Sequence, residues 1–529
     1  MIRVQDIKLG LEEDKAALPI KAAKKLKIKP SEILSYTIFK EAVDARKKDE
    51  IKLVYTLDIE TVKDEKLLAK NPNLKRPDPA YCSPPKGDQP MKHRPVVVGS
   101  GPCGLFAALL LAQQGFKPIV LERGKCVDER VKDVERFWKE GIFDPKSNVQ
   151  FGEGGAGTFS DGKLTTQIKN KRCHKVLEEM VAAGAPEEIL YKNKPHVGTD
   201  ILREVVKNIR EQIISLGGTF RFEAKLTDLI VKDNKLEGVI VNDQERIDTE
   251  ICILAIGHSA RDTFMMLHER KVHMEQKPFS IGMRVEHLQE WINEAQYGTQ
   301  FAHHPKLGAA EYKLVHHCEN GRTVYSFCMC PGGYVIASAS EEGRVVTNGM
   351  SEHARDGENA NSAILVNVGP EDYEDDHPLA GMYLQRQFEE LAFRLGGNNY
   401  KAPVQKLGDF LAGVPSTHFG IVKPSYSPGV TFANIKAELP SFMAEAIDEA
   451  MIAFGKKIKN FDHRDALFTG FETRSSSPVR MPRGEGYECN IEGVFPAGEG
   501  AGYAGGISSA AVDGLQVAEE IISRYSNLV

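Results

Sequence analysis

The chain has 529 residues, 41% hydrophobic and 27% charged, with a formal net charge of −6. Its length predicts about two or three domains, and its weak charge excludes a general attraction to nucleic acid or anionic membrane. No apolar stretch is long enough to span a bilayer, and the first residues do not form a signal peptide. Nine scattered cysteines do not indicate a disulfide framework. We therefore expect a cytoplasmic protein without a membrane partner.

Residues 1–70 predict a small N-terminal α+β domain. A strand is expected from Val4 to Leu9 and a helix from Ala16 to Leu26, followed by a hairpin over 36–45 and 51–59. The segment is mildly basic, which is typical of a solvated surface, with an RNA or anionic-partner face as the alternative.

A linker is predicted next. Seven prolines lie between residues 71 and 95. Proline fixes φ and removes a backbone donor, so this stretch is expected to be an extended connector between domains.

A glycine turn between an apolar strand and an apolar helix is the clearest chemical signal. Gly99 makes the turn, Gly101 lets the backbone approach a pyrophosphate, and Gly104 allows close packing of a helix predicted over 104–114. Glu122 ends the next strand, 23 residues after Gly99, where a carboxylate can accept hydrogen bonds from a ribose diol. The pattern predicts a dinucleotide site and argues against a 2′-phosphate there.

Two further glycine segments favour FAD over NAD as that dinucleotide. The loop 152–162 has too many glycines for a regular helix or strand and is expected to wrap a ligand, with a flexible surface linker as the alternative. Gly498 and Glu499 precede Gly506 and Ile507, whose amides, with a helix predicted over 508–524, would stabilise the charge of a reduced flavin.

The middle of the chain changes pattern. A strand pair is predicted over 219–229 and 236–241, and a buried strand ends near Gly257. Beyond it, alternating runs predict an antiparallel sheet with strands at 312–315, 323–327, 334–338, 345–347 and 363–366, and a helix over 380–397. The simplest α/β topology is a dinucleotide-binding domain formed by 96–270 and 471–529, with a substrate domain inserted over 271–470.

These segments resemble FAD-dependent dehydrogenases of the glutathione-reductase-type flavoprotein superfamily, a family without an assigned substrate. The matching stretches are residues 148–164, 254–263, 278–286, 330–333, 473–480 and 497–509. The resemblance implies a Rossmann-like FAD-binding fold with an α+β cap. It also implies that the acid after Gly498 holds the ribityl chain, although Glu499 is one methylene longer than the usual aspartate.

The cofactor contacts expected from pattern and resemblance lie on the glycine turn, after the second strand, in the glycine loop, and around the later glycine segments. They are Gly99, Gly101, Pro102, Gly104, Glu122, Arg123, Gly154, Gly155, Ala156, Gly157, Thr158, Ser160, Asp161, Lys163, Leu226, Gly257, Gly498, Glu499, Gly506 and Ile507.

Four residues are candidates for catalysis. His258 could be an acid/base group near the flavin, or a loop histidine that caps a neighbouring side chain. Arg261 could bind an anionic substrate or the cofactor phosphate, or pair with Asp262. Arg284 and Arg474 suit carboxylate or phosphate recognition, with structural ion pairs as the alternative.

The cysteine and histidine patterns predict no metal site. Strand alternation would place Cys328 and Cys330 on one face, and a disulfide between them would be strained, so small packed residues are expected. The histidine pairs at 303–304 and 316–317 are interpreted as surface or sheet residues.

The expected function is an FAD-dependent oxidoreductase that moves a hydride or two electrons between FAD and a small organic substrate, with an anionic substrate as one expectation. Only one complete glycine motif is present, so NAD(P)H is expected at most as a transient donor. The alternatives are a flavin monooxygenase or halogenase-like enzyme, an FAD-dependent RNA-modifying or RNA-binding protein, and a flavin-stabilised scaffold. A homo-oligomer is compatible with the sequence, whereas a nucleic-acid partner is not expected.

Overall fold

The computed structural model describes residues 1–528, with side chains to residue 526. The N-terminal elements are β1 (Ile2–Gly10), α1 (Leu18–Leu26), β2 (Ile33–Asp44), β3 (Lys52–Thr61) and α2 (Asp64–Lys70). The strands form an antiparallel sheet in the order β1-β3-β2. Leu53, Tyr55 and Leu57 of β3 alternate toward one buried cluster with Leu18 and Leu26 of α1. The predicted strand, helix and hairpin are confirmed.

The remaining helices and strands follow in three groups. Between residues 89 and 269 they are β4 (Gln89–Met91), β5 (Val96–Val98), α3 (Pro102–Gln113), β6 (Ile119–Leu121), α4 (Val127–Glu140), α5 (Arg172–Ala182), α6 (Thr199–Ser215), β7 (Thr219–Arg221), β8 (Leu226–Lys232), β9 (Lys235–Val241), β10 (Glu245–Asp248), β11 (Cys252–Leu254) and α7 (Arg261–Glu269). Between residues 275 and 472 they are β12 (Glu275–Gln276), β13 (Phe279–Leu288), α8 (Gln289–Tyr297), β14 (Val315–His317), β15 (Thr323–Cys330), β16 (Tyr334–Ala337), β17 (Thr347–Met350), β18 (Asn359–Val368), α9 (Ala380–Gly396), β19 (Ala402–Lys406), α10 (Leu407–Ala412), β20 (Val430–Phe432), α11 (Ile435–Glu438), α12 (Ser441–Lys457) and β21 (Leu467–Glu472). The last group is β22 (Val479–Arg480), β23 (Val494–Pro496), α13 (Ile507–Arg524) and β24 (Tyr525–Leu528).

A parallel sheet in the order β23-β11-β5-β6-β7 organises the first and last of these groups. β5 lies between β6 and β11, so the chain order reverses beside the glycine turn, where open α/β sheets bind ligands. Residues 103–112 of α3 are all buried because this helix packs against the sheet, α6 and α13. The structure is therefore a mixed α/β fold with a Rossmann-like sheet.

A second large sheet has the order β14-β15-β18-β13-β21-β19-β20 and is antiparallel apart from the β19/β20 pair. Its long strand β13 is buried from Phe279 to His287, with Arg284 and Glu286 inside. The predicted antiparallel sheet and the helix over 380–397 are confirmed, but the strand predicted over 312–315 begins only at Val315, as β14. The run at 334–338 gives β16, and the strand predicted over 345–347 begins only at Thr347, as β17. These two strands form a separate hairpin.

Two local predictions were wrong. The strand predicted over 219–229 is broken: β7 joins the parallel sheet, whereas β8 pairs with β9. Glu223 between them has a φ of 51°, and its amide bonds the carbonyl of Gly124, so the chain turns there. Strand alternation also fails at Cys328, where β15 carries a register shift and φ is 44°.

None of the helices within residues 1–528 is both long and apolar enough to cross a membrane.

Candidate active site

A deep cavity lies at the carboxyl ends of β5, β6, β11 and β23, where α3 and α13 begin. Residues from β15 and β21 of the antiparallel sheet and from β17 of the separate hairpin close its other side. The empty space is about 1560 Å³ when the solvent at its mouth is included. Its lining runs from Val98 and Leu121 of the parallel sheet to Cys328 and Glu472 of the antiparallel sheet, so a ligand in it would contact both.

The glycine turn forms one end of the cavity. Gly99 has a φ of 99°, and a Cβ there would lie 2.3 Å from the carbonyl oxygen of Ala255. A Cβ on Gly104 would lie 1.9 Å from the carbonyl oxygen of Gly99, so Gly104 is required by the turn itself. A Cβ on Gly101 would meet nothing closer than 3.8 Å, which leaves backbone open to a ligand at the start of α3.

Glu122 ties this turn to the glycine loop. One carboxylate oxygen accepts hydrogen bonds from the amide and hydroxyl of Ser100 at 3.1 and 2.7 Å. The other accepts from the amides of Gly124 and Gly152 at 2.9 and 3.0 Å. Four protein donors already engage this carboxylate, so a ribose diol would have to share its oxygens with them.

The glycine loop is held in shape by a fully buried arginine. The guanidinium of Arg130 donates to the carbonyls of Asn148, Val149, Glu153 and Gly155 at 2.6 to 3.0 Å. Burial lowers the pKa of Arg130 to about 10, and the group remains cationic at neutral pH. The loop is therefore an ordered wall, with a 3-10 turn over Gly155–Phe159, rather than a surface linker.

The start of α13 lies close to the start of α3, since a Cβ on Gly157 would lie 3.2 Å from Ile507 and 3.8 Å from Pro102. The part of the cavity beside Glu499 and the antiparallel sheet is its second end. Gly506 has a φ of 99°, and Gly506, Ile507 and Glu499 all line the cavity. Burial raises the pKa of Glu499 to about 8, a shift that Lys277 opposes. Gly498 does not line the cavity, and its amide instead bonds Asp513 of α13 at 2.7 Å.

The antiparallel sheet contributes ionisable side chains to this end. Cys328 and Glu472 line the cavity, and Arg284 lies beside both. Arg284 is fully buried and donates to the Glu472 carboxylate at 3.0 Å and to the Cys328 carbonyl at 2.7 Å. Burial raises the pKa of Glu472 to about 7 against the opposing charge of Arg284. A hydrogen bond from Cys330 lowers the pKa of the Cys328 thiol, with help from Arg284 and Lys163.

A buried charge cluster braces the cavity wall behind Arg474. The carboxylate of Glu389 accepts two hydrogen bonds from Arg261 at 2.8 Å and two from Arg474 at 3.0 Å. Thr473 adds a fifth at 2.7 Å. The two guanidinium groups hold the pKa of Glu389 far below its usual range, although burial alone would raise it. Breaking such a buried network by removing one partner is strongly destabilising.

His258 lines the cavity, and its Nδ1 lies 2.9 Å from the hydroxyl of Ser259. Burial lowers the pKa of His258 to about 3, and the neighbouring arginines add to the shift. The imidazole is therefore neutral at physiological pH and is suited to hydrogen bonding rather than to accepting a proton.

Most of the expected cofactor residues line this one cavity. Those that do so are Gly99, Gly101, Pro102, Glu122, Arg123, Gly155, Ala156, Gly157, Ser160, Asp161, Lys163, Leu226, Gly257, Glu499, Gly506 and Ile507. Those outside its lining are Gly104, Gly154, Thr158 and Gly498.

Of the four catalytic candidates, two line the cavity and two do not. His258 and Arg474 line the cavity, whereas Arg261 and Arg284 are buried behind it. Arg261 pairs with Glu389 and Glu341 and not with Asp262, which is the partner of Arg123.

Sequence reasoning missed Cys328 as a cavity residue, together with Glu472, Arg130 and Glu389. Cys328 was expected to be a small packed residue like Cys330, but the bulge in β15 presents it to the cavity. Glu472 ends a buried strand directly before the matched segment 473–480, and that position was the available signal.

The lining suits an FAD-sized dinucleotide. Backbone is open to the cavity at Gly101, at Gly257, where a Cβ would meet nothing within 4 Å, and at Gly506, where the nearest atom would lie at 3.9 Å. The helices α3 and α13 both start at its wall, which favours anionic groups there. Arg123 and Lys163 add positive charge to the lining.

Comparison with known families gives three matches. The family described as "FAD-dependent protein, C-terminal domain-like" matches residues 278–475. An NAD(P)-binding Rossmann-like domain matches residues 97–137, and a domain of unknown function matches residues 1–60. A protein of Clostridium beijerinckii described as "Uncharacterized protein" is 52% identical over 532 residues, which is 99% of this chain and 99% of that protein.

Solved structures resemble the chain only distantly. They include L-proline dehydrogenase from P. horikoshii, at 13% identity, 81% of this chain, 93% of that chain and a TM-score of 0.34. Glycine oxidase from Bacillus cereus has 11% identity, 82% and 99% coverage and a TM-score of 0.32. CtdE in complex with FAD has 12% identity, 82% and 88% coverage and a TM-score of 0.30. Likeness at such low TM-scores says nothing about the activity of this chain.

Proposed function

We propose that this chain, which belongs to the family of the Clostridium beijerinckii protein, is an FAD-dependent dehydrogenase or reductase. It would move a hydride or two electrons between bound FAD and a small anionic organic substrate. We further propose the glutathione-reductase-type architecture, with the cofactor domain formed by 96–270 and 471–529 and the substrate domain by 271–470. The small domain 1–70 and the linker 71–95 precede them.

One observation carries this proposal: a single cavity joins the glycine turn to the start of α13 and has ionisable side chains at its second end. The match of residues 278–475 to an FAD-dependent C-terminal domain supports FAD as the occupant. Gly101, Gly155 and Arg123 would hold the pyrophosphate, and Glu122 would hold the adenosine ribose. Gly506 and Ile507 would face the flavin ring.

Two carboxyl groups at the second end suit proton transfer. Burial raises the pKa of Glu472 to about 7 and that of Glu499 to about 8, so both can gain or lose a proton near neutral pH. FAD, when bound, supplies the two-electron chemistry. The residues of the chain supply a proton donor or acceptor beside it.

The charge at that end favours an anionic substrate. Lys163 and Lys277 act on Cys328 and Glu499 there, whereas Arg284 is already paired with Glu472. The two lysines would bind a carboxylate of the substrate. We propose NAD(P)H as a transient electron donor at most, and a cytoplasmic homo-oligomer as the working form.

The first experiment is spectroscopic. The purified full-length protein is examined for flavin absorbance, and the released cofactor is identified chromatographically. The holoprotein is then mixed anaerobically with NADH, NADPH and a panel of 2-hydroxy, 2-amino and dicarboxylic acids. Bleaching of the flavin band by one of them identifies an electron donor.

The outcomes separate the alternatives. Bound FAD that is bleached by an organic acid or a reduced nicotinamide supports the proposal. Oxygen-dependent product formation would instead favour a monooxygenase, and tight, salt-sensitive RNA binding would favour the RNA-linked alternative. A colourless protein that binds no flavin on reconstitution would overturn the proposal.

A further inference from the structure

A second cluster of potential ligand atoms lies away from the cavity, at the edge of the antiparallel sheet. His316 is in β14, Cys318 follows directly after it, and Glu449 is in α12. Within the described part of the chain, the imidazole nitrogen, thiol sulfur and carboxylate oxygen of these residues lie within 4.8 Å of one another. We propose that His316, Cys318 and Glu449 bind one Zn²⁺ ion.

The local backbone brings these three side chains to one place. Residues two apart on an extended segment face the same side, so His316 and Cys318 both point toward α12. Glu449 lies one helical turn after Ala446, whose carbonyl oxygen is 3.5 Å from the Cys318 sulfur. The Nε2 atom of His316 lies 2.6 Å from a carboxylate oxygen of Glu449.

The surrounding hydrogen bonds preorganise the cluster. The second carboxylate oxygen of Glu449 accepts a hydrogen bond from the amide of Glu319 at 3.0 Å. The turn after β14 is closed by the amide of Cys318 bonding the Arg322 carbonyl at 2.8 Å and by the amide of Gly321 bonding the Cys318 carbonyl at 3.0 Å. Such partners orient ligands in protein metal sites.

The donor set matches zinc. Zn²⁺ binds histidine nitrogen at about 2.0–2.1 Å, cysteine sulfur at about 2.3 Å and carboxylate oxygen at about 2.0–2.2 Å, usually in a tetrahedron. One thiolate and one carboxylate together balance the charge of the ion. The three ligands would leave one position for water or for a further ligand.

Protonation makes the proposal measurable. Cysteine binds zinc as its thiolate, whereas a free thiol is mostly protonated at neutral pH. Zinc binding must therefore release the thiol proton, and the apparent affinity should rise with pH.

The position suggests a bracing role. β14 is an edge strand of the antiparallel sheet, next to β15, which carries Cys328. Unprotected sheet edges are weak points. A metal joining β14 to α12 would fix that edge and would raise the unfolding temperature as the zinc concentration rises above the dissociation constant.

The test uses the full-length protein, treated with a chelator and then titrated with Zn²⁺ or Co²⁺. We expect one ion per chain, release of about one proton per ion at neutral pH, and a thiolate-to-cobalt charge-transfer band in the near ultraviolet. The variants His316→Ala, Cys318→Ser and Glu449→Gln should each lose more than roughly 100-fold in affinity, beyond the usual effect of substitutions next to a metal ligand.

A control of the same residue type is available for each ligand. His317→Ala removes the neighbouring histidine, which bonds Thr323 instead. Cys489→Ser removes another thiol, and Glu445→Gln removes an exposed carboxylate one turn earlier in α12. All three should bind zinc like the wild type.

A measurement on the wild type needs no variant. Zinc should protect Cys318 from alkylation, detected by mass spectrometry, and should raise the unfolding temperature. Absence of a stoichiometric ion, a cobalt complex without the thiolate band, or equal affinity in folded ligand variants would overturn the zinc site. The flavin proposal would be untouched by any of these results.

Discussion

The two walls of the cavity are built differently. The wall from the parallel sheet, formed by the glycine turn, Glu122 and the glycine loop, presents mainly backbone. The wall from the antiparallel sheet presents ionisable side chains, among them Cys328 and Glu472. Backbone amides suit the invariant parts of a dinucleotide, whereas side chains with shifted pKa values suit a particular reaction. Under the proposed function, the first wall would bind the cofactor and the second would take part in the reaction.

The largest effect is expected from Gly104→Ala, which lies behind the backbone wall and supports its glycine turn. The new Cβ would lie 1.9 Å from the Gly99 carbonyl, so the turn must shift. We expect this variant to lose bound FAD and to unfold at lower denaturant. Gly101→Ala, whose Cβ would meet no protein atom closer than 3.8 Å, should keep its stability within about 1 kcal/mol but bind FAD at least tenfold more weakly.

Flavin content and urea unfolding measure both variants. Gly484→Ala is the matched control, because its Cβ would meet nothing within 4 Å. If Gly101→Ala bound FAD like the wild type, the assignment of the backbone wall to the cofactor would be wrong.

The next effect tests the charge cluster behind the side-chain wall. Glu389→Gln leaves Arg261 and Arg474 without their shared carboxylate and should lower the free energy of unfolding by about 3–5 kcal/mol. Its neighbour Glu390 is exposed and pairs with Arg344, so Glu390→Gln should cost only about 0–1 kcal/mol. Equal losses of unfolding free energy in the two variants would show that Glu389 does not hold a stabilising buried cluster.

Glu389 also predicts acid sensitivity. Its folded-state pKa lies far below the ordinary 4.5, so its stabilising contribution is present above that value and is lost as the pH falls toward the folded pKa. Urea titrations between pH 3 and 5 should show a shallower decline in Glu389→Gln than in the wild type.

Glu499 gives the opposite pH dependence. Its pKa is raised from 4.5 to about 8, so the unfolded chain releases this proton first and stability falls as the pH rises between these values. The loss can reach about 1.4 kcal/mol per pH unit. In FAD-free protein, Glu499→Gln should gain stability over the wild type from pH 5 to 8, whereas the exposed control Glu492→Gln should not. If the difference in unfolding free energy between Glu499→Gln and the wild type stayed constant from pH 5 to 8, the raised pKa would be refuted.

The smallest expected effect is kinetic and concerns Cys328. A lowered thiol pKa predicts that it reacts with iodoacetamide at pH 7 at least about tenfold faster than Cys318, whose pKa is raised to about 11. Peptide mass spectrometry follows both sites in one sample. FAD should slow the alkylation of Cys328 only. Slow alkylation of Cys328 in the FAD-free protein would contradict its lowered pKa.

Local pattern was sufficient for the backbone wall. The glycine turn, the helix after it and the acid at the end of the next strand all lie within about 25 residues of one another. The sequence alone therefore predicted that Gly99, Gly101 and Glu122 lie together. The same was true of the N-terminal hairpin, because period-two burial in β3 is visible in the chain.

The side-chain wall depended on tertiary structure. Arg284 meets Glu472 across 188 residues and Arg261 meets Glu389 across 128, and neither pairing leaves a periodic signal in the chain. Strand alternation predicted that Cys328 packs on the same face as Cys330. The bulge in β15 turns its side chain toward the cavity instead.

The proposed zinc site has the same origin. His316 and Cys318 have a spacing that predicts nothing alone, and only the packing of α12 supplies Glu449. The sequence by itself determined where a dinucleotide can meet the backbone, because short-range sterics decide that. Only the tertiary structure decided which charged groups meet, because long-range packing sets their distances and their pKa values.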